Sequence, residues 1–216
     1  MGIVNHGIPR EIVVQLARLA GATTFVETGT FQGNTTRWAA EMFESVHTIE
    51  LSKVLYETYH EDLENTPGVI PHFGDSAKVM PEIVHSLGGE AALFWLDGHW
   101  SGGVTAGEEQ ECPVMEELLC LRDRNQDLIL IDDARLFLCA PPLPHKAEQW
   151  PTIADISFVF GHDRFLQVID DVIFIVPRQQ KMKELLIGYA QAQAAEHLKQ
   201  ATPPTFHRLA KKLLGQ

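Results

Sequence analysis

The run Phe25-Val26-Glu27-Thr28-Gly29-Thr30-Phe31-Gln32-Gly33 closes an apolar segment with an acidic residue and places two glycines on the way into a helix. Thr23, Thr24, Phe25 and Val26 are β-branched or aromatic and read as a buried strand. Asn34, Thr35 and Thr36 can cap a helix whose body begins at Arg37. Gly29 and Gly33 let the backbone turn sharply and bring bare N–H groups close to a ligand. A turn of this kind either holds a nucleotide cofactor or simply joins a strand to a helix, and the residues downstream bear on which.

Outward from this turn, strand-like apolar runs alternate with amphipathic stretches, the pattern of a parallel sheet covered by helices on both faces. Helices are expected over 8–19, 35–43, 53–63 and 114–122, with a short one after Ser76. Strands are expected over 24–27, 46–50, 69–73, 92–96 and 128–131. A Pro-rich loop at 140–144 and a helix near 152–160 follow. Runs 165–169 and 172–176 are separated only by Asp170 and Asp171, too short a link for a crossover helix, so the two strands pair antiparallel. The expected fold class is therefore α/β: a doubly wound, mostly parallel, seven-stranded Rossmann-like sheet ending in an antiparallel hairpin. Segment 179–200 is rich in helix formers, with Ala190, Ala194 and Leu198 as an apolar stripe for a covering helix or a homodimer contact.

With 216 residues, 45% of them hydrophobic, the chain suffices for one well-filled core. The expectation is one domain over 1–216: an N-terminal helix within 1–20, a core over 21–177 and a helical extension over 178–216. Seventeen basic against 29 acidic residues give a net charge of -12, which repels phosphate backbones and anionic lipid and argues against nucleic-acid or membrane partners. Cys112, Cys120 and Cys139 are odd in number and lack Cys-x-x-Cys spacing, so neither a disulfide framework nor a thiolate zinc site is supported. No apolar run reaches membrane-spanning length, no signal-peptide pattern is present, and His6 stands where a myristoylation motif needs Ser or Thr. A cytoplasmic protein is expected.

In doubly wound sheets ligands bind beyond the carboxyl ends of the strands. Those ends are acidic here: Glu27, Glu50, Asp75, Asp97, and the pair Asp132-Asp133. Glu50 follows Glu27 by 23 residues, the spacing at which a carboxylate reaches the two hydroxyls of an adenosine ribose. Asp75 or Ser76 either meets the exocyclic amine of an adenine or caps the next helix. Asp132 and Asp133 would repel one another, and with Asp97 they suit a hard divalent cation such as Mg²⁺, with Mn²⁺ or Ca²⁺ as replacements. His99, two residues past Asp97, can be a ligand, a general base or a loop residue. Trp95 reads as core, whereas Phe31 and Trp100 stand in loops at the mouth. The remaining histidines show no paired ligand spacing and are assigned no chemistry.

The motifs Val-Glu-Thr-Gly-Thr-Phe-Gln-Gly-Asn-Thr, His-Thr-Ile-Glu-Leu, Phe-Trp-Leu-Asp-Gly-His and Ile-Leu-Ile-Asp-Asp resemble those of class I S-adenosylmethionine-dependent methyltransferases. The likeness is to metal-dependent O-methyltransferases similar to macrocin O-methyltransferase and, more distantly, catechol O-methyltransferase, and spans roughly 20–177. It implies that Glu27, Gly29, Thr30 and Gly33 face the methionine part of S-adenosylmethionine, Glu50 the ribose, and Asp75 and Ser76 the adenine. It also implies Mg²⁺ on Asp97, Asp132 and Asp133. Phe31 replaces the middle glycine of the commonest first motif, and the lysine base of the catechol enzymes has no counterpart, which leaves His99 or Asp97 for that role.

The expected function is Mg²⁺-dependent methyl transfer to a hydroxyl of a small molecule such as a sugar or phenol. The rivals are a nicotinamide-dependent oxidoreductase, a cofactor-binding protein without turnover, and an N-methyltransferase.

Overall fold

The computed structural model describes residues 7–100 and 110–201. The strands are β1 (Thr24–Thr28), β2 (Ser45–Glu50), β3 (Val69–Phe73), β4 (Ala92–Leu96), β5 (Leu128–Ile131), β6 (Arg164–Ile169) and β7 (Val172–Pro177). They form one seven-stranded sheet in the order β3-β2-β1-β4-β5-β7-β6. Pairing is parallel from β3 through β5, and β7 runs antiparallel to both β5 and β6. The doubly wound sheet with its closing hairpin is the one the sequence predicts. Among the described residues no helix is long and apolar enough to cross a membrane.

Successive residues of each strand feed opposite layers, because side chains alternate across a pleated strand. Val26, Phe94, Leu96, Ile129 and Ile173 pack with residues of α4 (Ser76–Leu87), α5 (Val114–Cys120) and α7 (Ile153–Phe160). Phe25, Leu93, Trp95, Leu130 and Phe174 pack with α1 (Arg10–Ala20) and α8 (Gln180–Ala201) on the other face. Trp95 is fully buried, as the sequence predicts. On α8 the docked residues are Met182, Leu186 and, in part, Ala190, whereas Ala194 and Leu198 of the expected stripe are exposed.

Three local expectations are corrected. The helix after Gly33, α2 (Asn34–Ala40), begins at Asn34 with Gly33 itself as its left-handed N-cap, and no side chain of Asn34, Thr35 or Thr36 caps it. The helix after Asp75 runs twelve residues, carrying Pro81 past its first turn. Within the loop expected after Asp133 lie a short helix, α6 (Arg135–Leu138), and a 3₁₀ turn, Ala147–Gln149. α3 (Lys53–Glu64) stands as predicted, with Ser52 accepting from the Leu55 N–H.

Two of the histidines that the sequence leaves without a role meet in the fold. His47 on β2 and His72 on β3 meet through Nδ1 and Nε2 at 3.0 Å. Their rings lie within 18° of parallel with centroids 5.2 Å apart, so they join edge to edge through one shared proton. Burial first, and then the His72 charge, push His47 down from 6.5 to about 4, and burial lowers His72 as well. The spacing hidden in the sequence is that of neighbours on adjacent strands, which only strand register reveals.

The strand ends meet most closely at Gly29. Its φ is +82°, and a Cβ there would lie 2.3 Å from the Asp97 carbonyl oxygen, well inside contact distance. Gly29→Ala is expected to cost about 2 kcal/mol or more, seen as a lower urea midpoint at unchanged m-value. The histidine pair sets a pH dependence. Its neutral form is native, so its contribution is complete above the ordinary His47 value of 6.5 and is lost as pH falls toward about 4. The melting temperature is expected to drop across that window, by roughly 2–4 °C for each kcal/mol lost, and His47→Leu should flatten the profile there.

Candidate active site at the carboxyl ends of the strands

The loop from Gly29 to Gly33 is held from behind by β2. The Gly29 and Thr30 N–H groups both donate to the Ile49 carbonyl, at 3.0 and 3.3 Å. Phe31 has a φ of +48°, a conformation costly for a residue with a side chain. Its N–H donates to Glu50 Oε2 at 2.9 Å, an anchor that holds it there. This explains why a glycine is at home in the middle of such a motif. Gly33 is constrained too, since at φ +72° a Cβ would meet Leu63 Cδ2 at 2.8 Å.

Glu27 does not face outward from the strand end. It is 2% exposed, and its Oε2 accepts from the hydroxyls of Thr36 at 2.5 Å and Thr48 at 2.8 Å. Burial outweighs those bonds and pushes the carboxyl up to about 7. Thr36 therefore partners Glu27 rather than capping a helix. Thr30 joins the same buried knot through Thr48, Oγ1 to Oγ1 at 2.6 Å.

Glu50 ends β2 with both oxygens turned to the mouth of the loop, taking the Ser52 N–H on Oε1 at 2.7 Å and the Phe31 N–H on Oε2. Each oxygen keeps a lone pair for a further donor. Asp75 is the N-cap of α4, accepting from Ala77 N–H at 3.1 Å and paired with Lys78 Nζ at 2.9 Å. Of its two readings, the cap is realised in the structure. Ser76 is buried beside it.

Across the crevice, Asp97 follows β4 and Asp132-Asp133 follow β5. Asp133 has a φ of +56°, and its two oxygens face protein cations: His99 Nε2 at 3.1 Å and Arg135 Nη1 at 2.6 Å. Burial would raise Asp133, but the bond and charge of His99 and the charge of Arg135 hold it below the ordinary carboxylate value. Asp132 Oδ1 accepts the Asp133 N–H at 2.9 Å, while burial carries its carboxyl up to about 6. Among the described residues no set of three metal-capable side chains converges. The expected divalent cage therefore does not fit as it stands: His99 and Arg135 hold the oxygens of Asp133 that a cation would need.

His99 is a support rather than a surface group. Its side chain is 1% exposed, with Nε2 also 4.0 Å from Asp97 Oδ1. Burial works against its charge, yet the bond to Asp133 and the Asp97 and Asp133 charges raise its pKa. Asp97, whose side chain is 36% exposed, is the carboxylate of this pair open to the crevice. Burial of its surroundings raises it well above the ordinary value, an effect His99 only partly offsets.

Several supporting residues were not evident in the sequence. Asp171, in the β6–β7 turn, pairs with Arg135 Nη1 and accepts the Arg135 N–H at 3.0 Å. The closing hairpin thereby fixes the strand-five carboxylates. Glu111, 1% exposed, accepts from Trp150 Nε1 at 2.8 Å and from the Lys146 N–H at 3.1 Å, and lies 3.3 Å from His145 Nδ1. Its own carbonyl takes the Trp100 N–H at 2.7 Å. Trp100, His145 and Trp150 then pack edge to face in succession, with centroids 5.3 and 5.2 Å apart. Phe31 is 46% exposed at the other rim. Residues 101–109 of the expected substrate loop lie outside the described residues.

No family model and no curated protein sequence matches the chain. Solved structures do. The O-methyltransferase TomG from Streptomyces achromogenes, involved in tomaymycin synthesis and bound to S-adenosylmethionine, matches at 18% identity, covering 82% of each chain with a TM-score of 0.52. A proposed O-methyltransferase from Klebsiella pneumoniae matches at 16% identity over 82% of this chain and 84% of its own, TM-score 0.52. A proposed caffeoyl-CoA O-methyltransferase from Staphylococcus aureus matches at 14% identity over 81% and 86%, TM-score 0.51. Strand order, closing hairpin and these likenesses together establish that the chain has the Rossmann-like methyltransferase fold.

Proposed function

We propose that the protein transfers the methyl group of S-adenosylmethionine to a hydroxyl of a small molecule such as a sugar or phenol. The observation that carries this reading is Glu50, whose oxygens are aimed by the Phe31 and Ser52 N–H groups at the rim of the glycine loop. That is where a ribose diol can donate to both. The methionine part of the cofactor then lies along Gly29, Thr30 and Gly33, with Glu27 buried behind them. TomG, which shares the fold at 18% identity, was solved with S-adenosylmethionine bound, which supports the choice of cofactor.

Asp97 is the group best placed to take the acceptor proton, being the open carboxylate opposite the loop and unusually basic for its kind. The hydroxyl oxygen attacks the methyl carbon, the carbon–sulfur bond breaks with its electrons returning to sulfur, and the hydroxyl proton passes to Asp97. S-adenosylhomocysteine leaves. His99 behind Asp97 and Asp133 steadies the charge that remains. Trp100 and His145, both partly exposed and backed by buried Trp150, offer aromatic surface to a ring-bearing acceptor. An acidic surface and a net charge of -12 favour an acceptor that is not an anion.

This route draws on no resident cation, His99 and Arg135 balancing the charge of Asp133. Titration calorimetry of S-adenosylmethionine and S-adenosylhomocysteine, with Mg²⁺, with chelator, and with NAD as control, tests the reading. Binding of the methyl cofactor alone is expected, weakened about tenfold or more by Glu50→Ala. Binding of NAD instead would overturn it. In a screen of hydroxyl compounds, Asp97→Asn is expected to lower kcat about 10²–10⁴-fold with cofactor affinity retained. Turnover lost on chelation and restored by Mg²⁺ would return Asp97, Asp132 and Asp133 to the ligand role their pattern suggests.

A further inference from the structure

Glu117 is the one charged side chain of α5 turned fully inward, 0% exposed. Neither of its carboxylate oxygens makes a hydrogen bond of good geometry, although the hydroxyls of Ser76 and Thr28 lie near enough to stabilise its charge. Leaving such a group unpaired is costly, and a fold carries it only where something else uses it. Its surroundings are specific. Oε1 lies 3.6 Å from where a Cβ on Gly98 would stand, and that same position is 3.1 Å from Thr28 Oγ1. Burial pushes the carboxyl up to about 7, while the hydroxyls of Ser76 and Thr28 pull the other way and the Asp75 charge adds to the rise. Glu117 thus lies beside Thr28 at the end of β1, Ser76 after β3 and Gly98 after β4.

The cofactor's other parts have their own partners: the diol at Glu50 and the methionine part along the glycine loop. The base remains, and the methyltransferase resemblance directs it toward Asp75 and Ser76. Asp75 takes one donor on each oxygen, Ala77 N–H and Lys78 Nζ, and serves as the N-cap of α4. The unengaged acceptor on that side is Glu117, separated from the crevice by partly exposed Gly98, which has no side chain to block it. An exocyclic amine offers two N–H donors, the complement of a carboxylate with none.

We propose that Glu117 is a cofactor-specificity residue: its carboxylate, with the Ser76 hydroxyl beside it, accepts from the 6-amino group of the adenine and rejects a base bearing a carbonyl there. This rests on the S-adenosylmethionine reading above. A purely structural carboxylate would stabilise the unliganded protein, whereas this one burdens it until the base arrives.

The test is calorimetry of the full chain with S-adenosylhomocysteine and its deaminated analogue S-inosylhomocysteine, together with thermal melting of the unliganded protein. The wild type is expected to prefer the adenine form by about tenfold or more. Glu117→Met should abolish that preference while raising the unliganded melting temperature. Glu117→Gln, which keeps one acceptor oxygen, should retain part of the preference and folds without a change of shape. An undiminished preference in both variants would overturn the assignment, as would lower melting temperatures with affinities unchanged. If the wild type binds neither nucleoside, the cofactor reading itself fails; if it binds both equally, only the role of Glu117 does.

Discussion

The contact between Gly29 and the Asp97 backbone is the constraint on which the rest of the crevice depends. Two parallel strands, β1 and β4, diverge at the point where the order of connections reverses, and ligands of such sheets lie in the gap. A Cβ at position 29 would stand 2.3 Å from the Asp97 carbonyl oxygen, so the loop after β1 can lie against β4 only without a side chain there. That closeness sets the loop's path, brings the Phe31 N–H to Glu50, and puts Asp97 opposite the loop within the span of one small cofactor.

Packing acid upon acid is the second problem this site solves. Glu27, Glu50, Asp97, Asp132 and Asp133 crowd one end of the sheet, and charge on all of them would be self-defeating at low dielectric. The fold answers in different ways. Glu27 is buried among hydroxyls and titrates near neutrality, at about 7. Glu50 is neutralised in part by backbone dipoles. Asp133 is paired with His99 and Arg135, and Arg135 is pinned in turn by Asp171 from the closing hairpin. The antiparallel strand pair is thus connected to the chemistry through a single arginine.

Glu111 does for the loops what Asp171 does for the strand ends. Its buried carboxylate draws His145, Lys146 and Trp150 together and its backbone carbonyl takes the Trp100 N–H, so the segments after β4 and β5 share a wall. Polar bonds behind that wall hold its aromatic rings, with Trp100 and His145 partly exposed to an acceptor.

The sequence by itself determined the layer architecture. Short apolar runs such as Leu93-Phe94-Trp95-Leu96, alternating with amphipathic stretches, read as strands buried on both faces, and the two-residue link Asp170-Asp171 admits only a hairpin. It also placed Glu50, Asp97, Asp132 and Asp133 at strand ends, because a carboxylate ending an apolar run must lie where the strand leaves the core. What it left open depends on distances between residues remote in the chain. That Thr36 serves Glu27, that His47 meets His72, that Glu111 gathers two loops, and that Arg135 and His99 occupy the oxygens of Asp133 all follow from strand register and loop path. Periodicity reports which way a side chain faces; only tertiary structure decides which partner it meets there.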